Sequence, residues 1–387
     1  MKIYHSTNTF LPVVLLFFAA SIFSSCNQNK SASEITQTQE LTSNNSVPKS
    51  IETSFSQKFK VDYLADDEVK ISIEKPWEGS KDLYEYKLKS NAGRGEINYP
   101  VKSVACLSST HVEMLKELGL LDKIVAINSY DDIFDQEIKD VFKARGVKEV
   151  GKSKNVNIEL LLDIKPDLIL ESTTGSGYDA YEALTKYHLP VVTFAAHKEN
   201  FPLGRLEWIK LLSVFFQKEQ EANAYFKTKE ALYNHLLNKK QTPEKQPVIF
   251  VGYNWKETWY LPGSKSYMAE FIKDAGGKYI MADNKETGNV AIAHEQVIEL
   301  LQQCDIWLHP GIKITSEADL KELKIPNNYF KNGLQVYNNN KKLNDLGKND
   351  FWQSGFVHPE LVLQDLSLIF QKDSLSNKKL IYYKKIL

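Results

Sequence analysis

The chain of 387 residues has a formal net charge of −1, and 42% of its residues are hydrophobic. This length and apolar content are sufficient for two domains with cores of their own. Because acidic and basic residues nearly balance, the chain lacks the basic excess typical of nucleic-acid-binding proteins, and no nucleic-acid partner is expected.

The N-terminus is predicted to be a lipoprotein signal peptide covering residues 1–26. Its apolar stretch, Phe10–Phe23, is too short to span a bilayer stably. The Ser-Ser-Cys sequence that follows resembles a bacterial lipobox, in which Cys26 is lipidated, although Phe23 stands where leucine is usual. An ordinary secretory signal is the alternative. Residues 27–54, rich in Ser, Thr, Gln and Asn, are predicted to be a flexible tether.

Residues 55–100 are predicted to form a small accessory β extension, because apolar and polar residues alternate in segments such as Val69–Ile73. Residues 101–203 instead alternate strands with helices, which predicts a parallel sheet covered on both faces. The predicted strands of this N-terminal α/β lobe are Ser103–Leu107, Lys123–Ile127, Asp167–Leu170 and Pro190–Phe194.

Residues 204–240 contain no proline and no second glycine, and their apolar residues recur at helical spacing. This pattern predicts one connecting helix of roughly 50 Å, at about 1.5 Å per residue. A C-terminal α/β lobe, residues 245–387, then begins with the strand Pro247–Gly252. Cys106 and Cys304 fall in different lobes, so we do not expect a structural disulfide.

One sequence pattern occurs in each lobe. In Asn157–Leu170, Glu159 stands in the first turn of a short apolar-striped helix that leads into a strand, and Glu295 has the same place in Ala293–Leu308. A first-turn glutamate commonly does no more than stabilise its helix. Its recurrence predicts two similar lobes that hold a ligand between them and present matched acidic surfaces to a two-fold partner.

Several short motifs together resemble the iron-complex and vitamin B12 substrate-binding proteins of ABC importers. In chain order they are Leu107–Thr110 with Leu118-Gly119, Lys165–Leu170, Pro202–Trp208, Asp274–Gly277, Asn349–Trp352 with Gly355, and Pro359–Leu366. The resemblance covers about Val101 to Phe370. It implies an α/β fold of two Rossmann-like lobes with central parallel sheets, joined by one long α-helix. The small N-terminal β-rich extension lies outside this family core.

The resemblance also implies the function. We expect a substrate-binding protein, lipid-anchored in the periplasm, that captures an iron complex (a ferric siderophore or haem) and delivers it to an ABC permease dimer with ATPase subunits. Glu159 and Glu295 correspond to the glutamates that pair with permease arginines in this family. Alternatives are a cobalamin or corrinoid binder of the same fold and a surface scavenger lipoprotein without a permease.

The ligand is expected at the carboxyl ends of the strands, where the two lobes face each other. Core packing is the alternative for each aromatic residue, and hydrogen bonding is the alternative to metal ligation for His197 and His309. No basic cluster stands out at the strand ends, which disfavours a strongly anionic triscatecholate, although Lys198, Arg205 and Lys256 are near in sequence. The candidate ligand-binding residues are Ser108, Ser109, Thr110, Tyr130, Ser172, Thr173, His197, Tyr253, Trp255, Trp259, His309 and Trp352.

Two segments resemble enzyme motifs, but each lacks a residue that its motif requires. Gly175-Ser176-Gly177 follows a strand as a dinucleotide fingerprint does, but the next strand ends in Ala195-Ala196-His197, where a ribose-binding acid should stand. His294-Glu295 lacks the second histidine of a zinc helix motif. We therefore expect no catalytic residues, no cofactor and no resident metal site.

Overall fold

The computed structural model describes residues 51–64, 68–77, 80–81, 83–239, 246–323, 325, 330–371 and 379–387. The predicted signal peptide, the lipidation site Cys26 and most of the predicted tether lie outside these residues. Within the described ranges, no helix is both long enough and apolar enough to cross a bilayer.

The accessory extension is a four-stranded sheet in the order β1-β2-β3-β4. The first three strands pair antiparallel, and β4 runs parallel to β3. Val69, Ile71 and Ile73 on β2 are buried, as the alternating pattern predicts for a sheet with one covered face. The strands are β1 (Phe59–Tyr63), β2 (Val69–Glu74), β3 (Leu83–Lys89) and β4 (Ile97–Asn98).

The first lobe has a five-stranded parallel sheet in the order β7-β6-β5-β8-β9. The strand order reverses beside β5, so the loops after β5 and β8 lie at the topological switch point where ligands of such sheets bind. The elements are β5 (Val104–Cys106), α1 (Ser109–Glu117), β6 (Ile124–Ile127), α2 (Gln136–Arg145), β7 (Lys148–Glu149), α3 (Ile158–Ile164), β8 (Leu168–Glu171), α4 (Tyr181–Lys186) and β9 (Val191–Thr193).

The connection between the lobes differs from the prediction of one continuous helix over residues 204–240. It consists of two helices that pack against each other, α5 (Pro202–Val214) and α6 (Glu219–Lys239). The chain turns at Gln217, which has a φ of 56°, and the Lys218 N–H donates to the Ser213 carbonyl (3.0 Å) as in a Schellman helix end. Because this turn uses no glycine or proline, the sequence carries no stop signal there.

Helix α6 connects the accessory sheet with the second lobe. Near its start, the Tyr63 hydroxyl of β1 donates to Glu219 (2.6 Å). Further along, the Tyr233 hydroxyl donates to Asp274 (2.7 Å), which belongs to the second lobe. The segment predicted as one long connecting helix is therefore helical, but it is divided into α5 and α6, and α6 makes the contact with the second lobe.

The second lobe combines a five-stranded sheet, β13-β10-β15-β16-β17, with an antiparallel three-stranded sheet, β11-β12-β14. In the larger sheet only the edge strand β17 runs antiparallel to its neighbour. The elements are β10 (Val248–Val251), β11 (Tyr253–Trp255), β12 (Thr258–Pro262), α7 (Tyr267–Asp274), β13 (Lys278–Tyr279), β14 (Asn289–Ile292), α8 (His294–Leu301), β15 (Ile306–Leu308), α9 (Glu317–Lys321), β16 (Gln335–Asn338), α10 (Ser354–Val357), α11 (Pro359–Phe370) and β17 (Lys384–Lys385).

The repeated sequence pattern forms the same unit in both lobes. Helix α3 leads into β8, which pairs with β5, and α8 leads into β15, which pairs with β10. In each case the strand lies next to the first strand of its lobe. The α/β fold class with two similar lobes is therefore confirmed.

The first residues that the structure describes are fixed on α5. The buried Glu207 carboxylate accepts hydrogen bonds from the backbone N–H groups of Ser54, Phe55 and Ser56 (2.8, 2.9 and 2.7 Å). Ile51 is buried in the same core as the lobes. Residues 51–54, assigned to the tether from their composition, are therefore part of the folded unit.

Candidate functional site

A groove between the lobes is formed by two adjoining cavities of about 300 Å³ each. Both cavities are lined by Lys198 of the first lobe and Thr287 of the second lobe, so they are neighbouring parts of one groove. The inner cavity is lined by Thr174, His197, Lys198, Pro262, Ser266, Tyr267, Met268, Thr287, Gly288 and Asn289. The outer cavity is lined by Lys58, Lys75, Trp77, Ser80, Lys198, Asn200 and Thr287.

His197 lies on the wall of the inner cavity. It belongs to a short 3₁₀ turn, Ala196–Lys198, that follows β9. Its ring is reachable from solvent although protein atoms surround most of it, as expected of a cleft residue. Burial, together with the positive charges of Lys198 and Arg205, lowers the pKa of His197 to about 4. The imidazole is therefore neutral near pH 7 and can accept a hydrogen bond or ligate a metal.

Arg205 places a cation beside the inner cavity. It lies in the first turn of α5, and its guanidinium stacks 3.8 Å from the ring centroid of Tyr267, a cavity-lining residue, and 4.9 Å from that of Phe356. The side chain is partly exposed, but its Nε is buried without a hydrogen-bond partner. Burial lowers the pKa of Arg205 from its usual value, and a guanidinium nevertheless stays protonated. Among the described residues, no carboxylate pairs with it.

His309 is held by an aromatic cluster after β15. Its Nε2 and the Tyr383 hydroxyl are 2.7 Å apart, the two rings stack at 5.4 Å, and the Phe351 ring meets it edge-on. Burial lowers the pKa of His309 to about 3, so the ring is neutral near pH 7. Because Tyr383 is hydrogen-bonded to one ring nitrogen, the structure favours the hydrogen-bonding alternative for His309 over metal ligation through that nitrogen.

A loop of the second lobe, residues 344–353, contacts the first lobe directly. The Lys348 ammonium pairs with Asp132 (2.6 Å). The Gln353 side chain accepts from the Phe134 N–H and donates to Glu113, at 2.7 Å in each case. These contacts join the lobes along one side of the cleft, which restricts how far they can move apart.

The first-lobe residues predicted to bind the ligand fall into two groups, those that are exposed or face the second lobe and those whose side chains are used within their own lobe. Ser108 caps α1 and Ser109 begins that helix, while Thr110 Oγ1 donates to the carbonyl of Trp352 (3.3 Å), so the loop after β5 faces the second lobe. Ser172 is exposed and its hydroxyl is 3.2 Å from His111 Nε2.

Two predicted first-lobe residues are used inside the lobe instead. The Thr173 hydroxyl is buried and accepts from Thr193 (2.7 Å). The Tyr130 hydroxyl donates to the Val147 carbonyl (2.7 Å), which directs it toward its own lobe. Their position after a strand end is as predicted, but neither hydroxyl is directed toward the second lobe.

The predicted aromatic residues of the second lobe also separate. Trp259 is 0% exposed, and its Nε1 donates to His294 Nδ1 (3.2 Å), so its prediction as a cleft residue is wrong and the core-packing alternative holds. Trp255 is 58% exposed and Trp352 is 48% exposed, and Tyr253 is also exposed. Tyr253 and Trp255 lie on the β11–β12 hairpin, outside the residues that line the two cavities.

Sequence reasoning missed the contribution of the accessory sheet to the groove. Lys58, Lys75 and Trp77 come from that sheet and its approach segment, far in sequence from Lys198. It also missed Tyr267, although this residue stands at the first position of a helix that follows a strand and a turn. Ser266 caps α7, and a serine before an apolar-periodic segment predicts a helix start, so the sequence could have placed Tyr267 at the beginning of a helix.

The glycine-containing loop after β8, which resembles a dinucleotide fingerprint in sequence, is held by a carboxylate of its own. The Asp179 carboxylate accepts hydrogen bonds from the backbone N–H groups of Thr174, Gly175 and Ser176 (2.8, 2.6 and 3.1 Å). A carboxylate therefore occupies the N–H groups that a bound phosphate would need. Gly175 has a φ of 81°, and a Cβ there would lie 2.2 Å from the Trp77 ring.

The two matched glutamates are exposed on the first turns of α3 and α8. Asn157 caps α3 by accepting from the Leu160 N–H (2.9 Å). Neither Glu159 nor Glu295 forms an ion pair within the described ranges. Each helix leads into a parallel strand of its lobe, so its first turn lies near the sheet edge from which the cleft loops extend.

Within the described residues, no group of three or more His, Cys, Asp or Glu side chains is placed to hold a metal ion. Cys106 is buried in β5, and Cys304 is buried shortly before β15.

Two α/β lobes with a groove between them, lined by polar and aromatic residues, are the architecture of a protein that binds its ligand between two lobes. A family model described as periplasmic binding protein matches residues 104–324, and the chain belongs to this family. The family consists of binding proteins rather than enzymes. The resemblance inferred from the short motifs is thereby confirmed at the level of the family.

Two of the relatives identified by sequence are lipoproteins by name. An uncharacterized lipoprotein of Methanocaldococcus jannaschii is 29% identical over 300 residues, covering 75% of this chain and 70% of the relative. An uncharacterized ABC transporter substrate-binding lipoprotein of Bacillus subtilis, YvrC, is 26% identical over 203 residues, covering 51% of this chain and 61% of that protein.

Solved structures share the fold. A possible iron-binding periplasmic solute-binding protein from Staphylococcus epidermidis superposes with a TM-score of 0.54 at 18% identity, covering 69% of this chain and 98% of its own. Staphylococcus aureus IsdE complexed with heme gives a TM-score of 0.53 at 17% identity, with coverage of 69% and 98%. At these identities the likeness concerns the two-lobed fold alone.

Proposed function

We propose that this protein is a lipid-anchored substrate-binding protein of an ABC importer that captures an iron complex between its lobes and delivers it to the permease. The observation that carries the proposal is the groove between the lobes, in a chain that belongs to the periplasmic binding proteins. The first lobe lines it from the loops after β8 and β9, and the second lobe lines it from the end of β12 and the starts of α7 and β14. The name of the Bacillus relative, an ABC transporter substrate-binding lipoprotein, supports the transport role.

The chemistry of the inner cavity supports a metal–organic ligand. His197 is neutral at pH 7 and reachable from the groove, so it can hydrogen-bond to a chelate or ligate a metal that the ligand carries. The Tyr267 ring lines the cavity and can contact a planar or chelated molecule, and the Arg205 guanidinium stacked on that ring adds a positive charge beside the cavity. A ferric siderophore or haem matches these features, and cobalamin is the alternative that the binding experiment below must separate.

Docking on a two-fold permease is assigned to Glu159 and Glu295. Both carboxylates are exposed on helix first turns, where the helix dipole favours negative charge, and bidentate pairing with arginine gives orientation as well as attraction. The equivalent places of α3 and α8 in the two lobes support a partner with matched halves.

The docking role is tested by charge reversal. We expect Glu159→Lys with Glu295→Lys to abolish uptake of the bound iron complex by cells while leaving the affinity of the purified protein unchanged. Glu137→Lys is the matched control, because Glu137 is also an exposed first-turn glutamate, on α2. Normal uptake by the double variant would remove the docking assignment and favour a scavenger lipoprotein that works without a permease.

The lipid anchor is assigned to Cys26. The lipoprotein names of both sequence relatives support it. Mass spectrometry of the mature N-terminus should find a diacylglyceryl group on Cys26, and Cys26→Ala should move the protein from the membrane fraction to the soluble fraction. Membrane retention of Cys26→Ala would contradict the anchor.

A further inference from the structure

We propose that the accessory sheet forms one wall of the ligand site, and that Lys58, Lys75 and Lys198 bind an oxyanion group of the ligand, such as a carboxylate or phosphate. The inference rests on the proposed function, because it takes the groove between the lobes to be the place where the ligand binds. It adds the chemical class of the ligand and a role for the accessory sheet, which lies before the part of the chain that the family model matches.

The three lysines line the same cavity from different parts of the chain. Lys58 lies just before β1, Lys75 follows β2, and Lys198 ends the 3₁₀ turn after β9. Ser80 and Asn200 add neutral polar groups, and Thr287 completes the cavity from the second lobe. None of the lining residues that the structure describes is acidic. A ligand bound in the inner cavity would therefore extend one end toward ammonium groups and hydrogen-bond donors.

Within the described part of the chain, the ammonium groups of Lys58 and Lys198 form no ion pair, and neither does the Arg205 guanidinium beside the inner cavity. Glu199 interacts electrostatically with Lys58, and its Oε1 already accepts from Ser56 (2.5 Å) and Trp208 (2.8 Å). An anionic ligand group could therefore pair with the ammonium groups of Lys58 and Lys198, and cations in a groove with low-dielectric walls attract anions strongly.

The accessory sheet is fixed against the first lobe, so its lysines are held in place. Trp77 packs on Tyr84 and Tyr181, with ring centroids 5.1 and 5.9 Å apart, and lies directly against Gly175. The Tyr86 hydroxyl, 3.0 Å from that of Tyr181, also accepts from a backbone N–H of β9. These contacts tie the sheet to the loop after β8 and to β9, the two elements that supply Thr174 and lead to His197 in the groove.

The three lysines come from separate segments and meet at one cavity. A run of basic residues on one helix, by contrast, is commonly only a solvated surface. Each ammonium group that contacts an oxyanion forms a charge-assisted hydrogen bond, and removing one is expected to weaken binding by roughly tenfold or more. A ligand that is coordinated through neutral hydroxamates alone would gain little from these residues.

The test compares two iron probes by isothermal titration calorimetry, using the full chain purified in mild detergent. Ferric citrate carries carboxylates, whereas the ferric complex of a linear trihydroxamate carries none. We expect ferric citrate to bind more tightly, and Lys58→Ala combined with Lys198→Ala to weaken its binding on the order of a hundredfold. The same pair of substitutions should change trihydroxamate binding less than threefold.

The matched control is Lys60→Ala. Lys60 is an exposed lysine on β1 of the same sheet, paired with Asp62 and outside the cavity. It should leave both affinities unchanged, and far-UV circular dichroism shows whether each variant is folded. Added salt should weaken ferric citrate binding to the native chain and have less effect on the double variant.

The outcomes separate the two proposals. If ferric citrate binds the native chain and the double variant equally well, the anionic-ligand inference is overturned and the proposed function stands. Tighter binding of the trihydroxamate complex than of ferric citrate by the native chain would likewise overturn the anionic-ligand inference and leave the proposed function standing. If neither probe, nor haem or cobalamin in the same assay, binds saturably, both the proposed function and this inference are overturned.

Discussion

Removal of the Glu207 carboxylate should release residues 54–56 from α5 and destabilise the protein strongly. Glu207 is fully buried on α5, and it accepts three backbone N–H groups, those of Ser54, Phe55 and Ser56. It also pairs with the buried ammonium of Lys210 (2.9 Å). Glu207→Ala leaves the three N–H groups without their acceptor and the Lys210 ammonium without its counter-charge.

The magnitude follows from these contacts. Breaking a buried ion pair by removing one partner costs about 3–5 kcal/mol, and a buried N–H left without an acceptor costs about 1–3 kcal/mol before water reaches it. Because residues 54–56 can peel away and regain water, the terms do not add. We therefore expect Glu207→Ala to lower the free energy of unfolding by about 3–5 kcal/mol.

Urea unfolding followed by far-UV circular dichroism measures this change. Glu221→Ala is the matched control, since Glu221 pairs with Lys218 on exposed α6 and such surface pairs contribute about 0–1 kcal/mol. Hydrogen exchange should show the backbone amides of residues 54–56 losing protection in Glu207→Ala alone. A loss no larger than that of Glu221→Ala would refute the anchoring role of Glu207.

Three further predictions concern the groove, the contact between the lobes and pH. Gly175→Ala places a Cβ against Trp77 at a positive φ, so it should shift tryptophan emission and weaken ferric citrate binding, whereas Gly177→Ala, with open space around it, should do neither. Lys348→Ala removes the ion pair with Asp132 and should speed hydrogen exchange at residues 132–134 without affecting the α6 amides; unchanged exchange would contradict the bridging role. Burial lowers the pKa of His111 and of His309 to about 3, so the unfolded chain takes up protons below pH 6.5 that the folded chain does not, and the free energy of unfolding should fall as pH falls from 6.5 toward 3. His111→Gln should flatten that pH dependence, and an identical slope in the variant would show that His111 does not contribute.

The elements with strong local signals could be predicted from the sequence. The helices that carry Glu159 and Glu295 each precede a short apolar strand, and both units form as expected because helical periodicity and buried-strand runs are local properties. The alternating pattern of the accessory sheet is local in the same sense. The break at Gln217 was missed because tertiary packing, rather than glycine or proline, turns the chain there.

The binding groove was harder to predict, because it depends on which distant segments meet. A position after a strand end fits both an exposed residue such as His197 and a buried one such as Thr173. Trp259 was misplaced because a tryptophan on an antiparallel strand can face either side, and a one-residue difference in register decides which. The lysine cluster of the outer cavity brings together residues 58, 75 and 198, and no sequence window contains all three.

The most direct test of the central claim is a tryptophan-fluorescence titration of the full chain with ferric siderophores, haem and cobalamin. Trp77 lines the groove, so a ligand bound there should quench its emission. We predict saturable quenching at sub-micromolar concentration by one iron complex, and loss of that response from Trp77→Phe. Absence of a saturable response to all of these ligands would contradict the assignment of the groove as the site of an iron-complex binding protein.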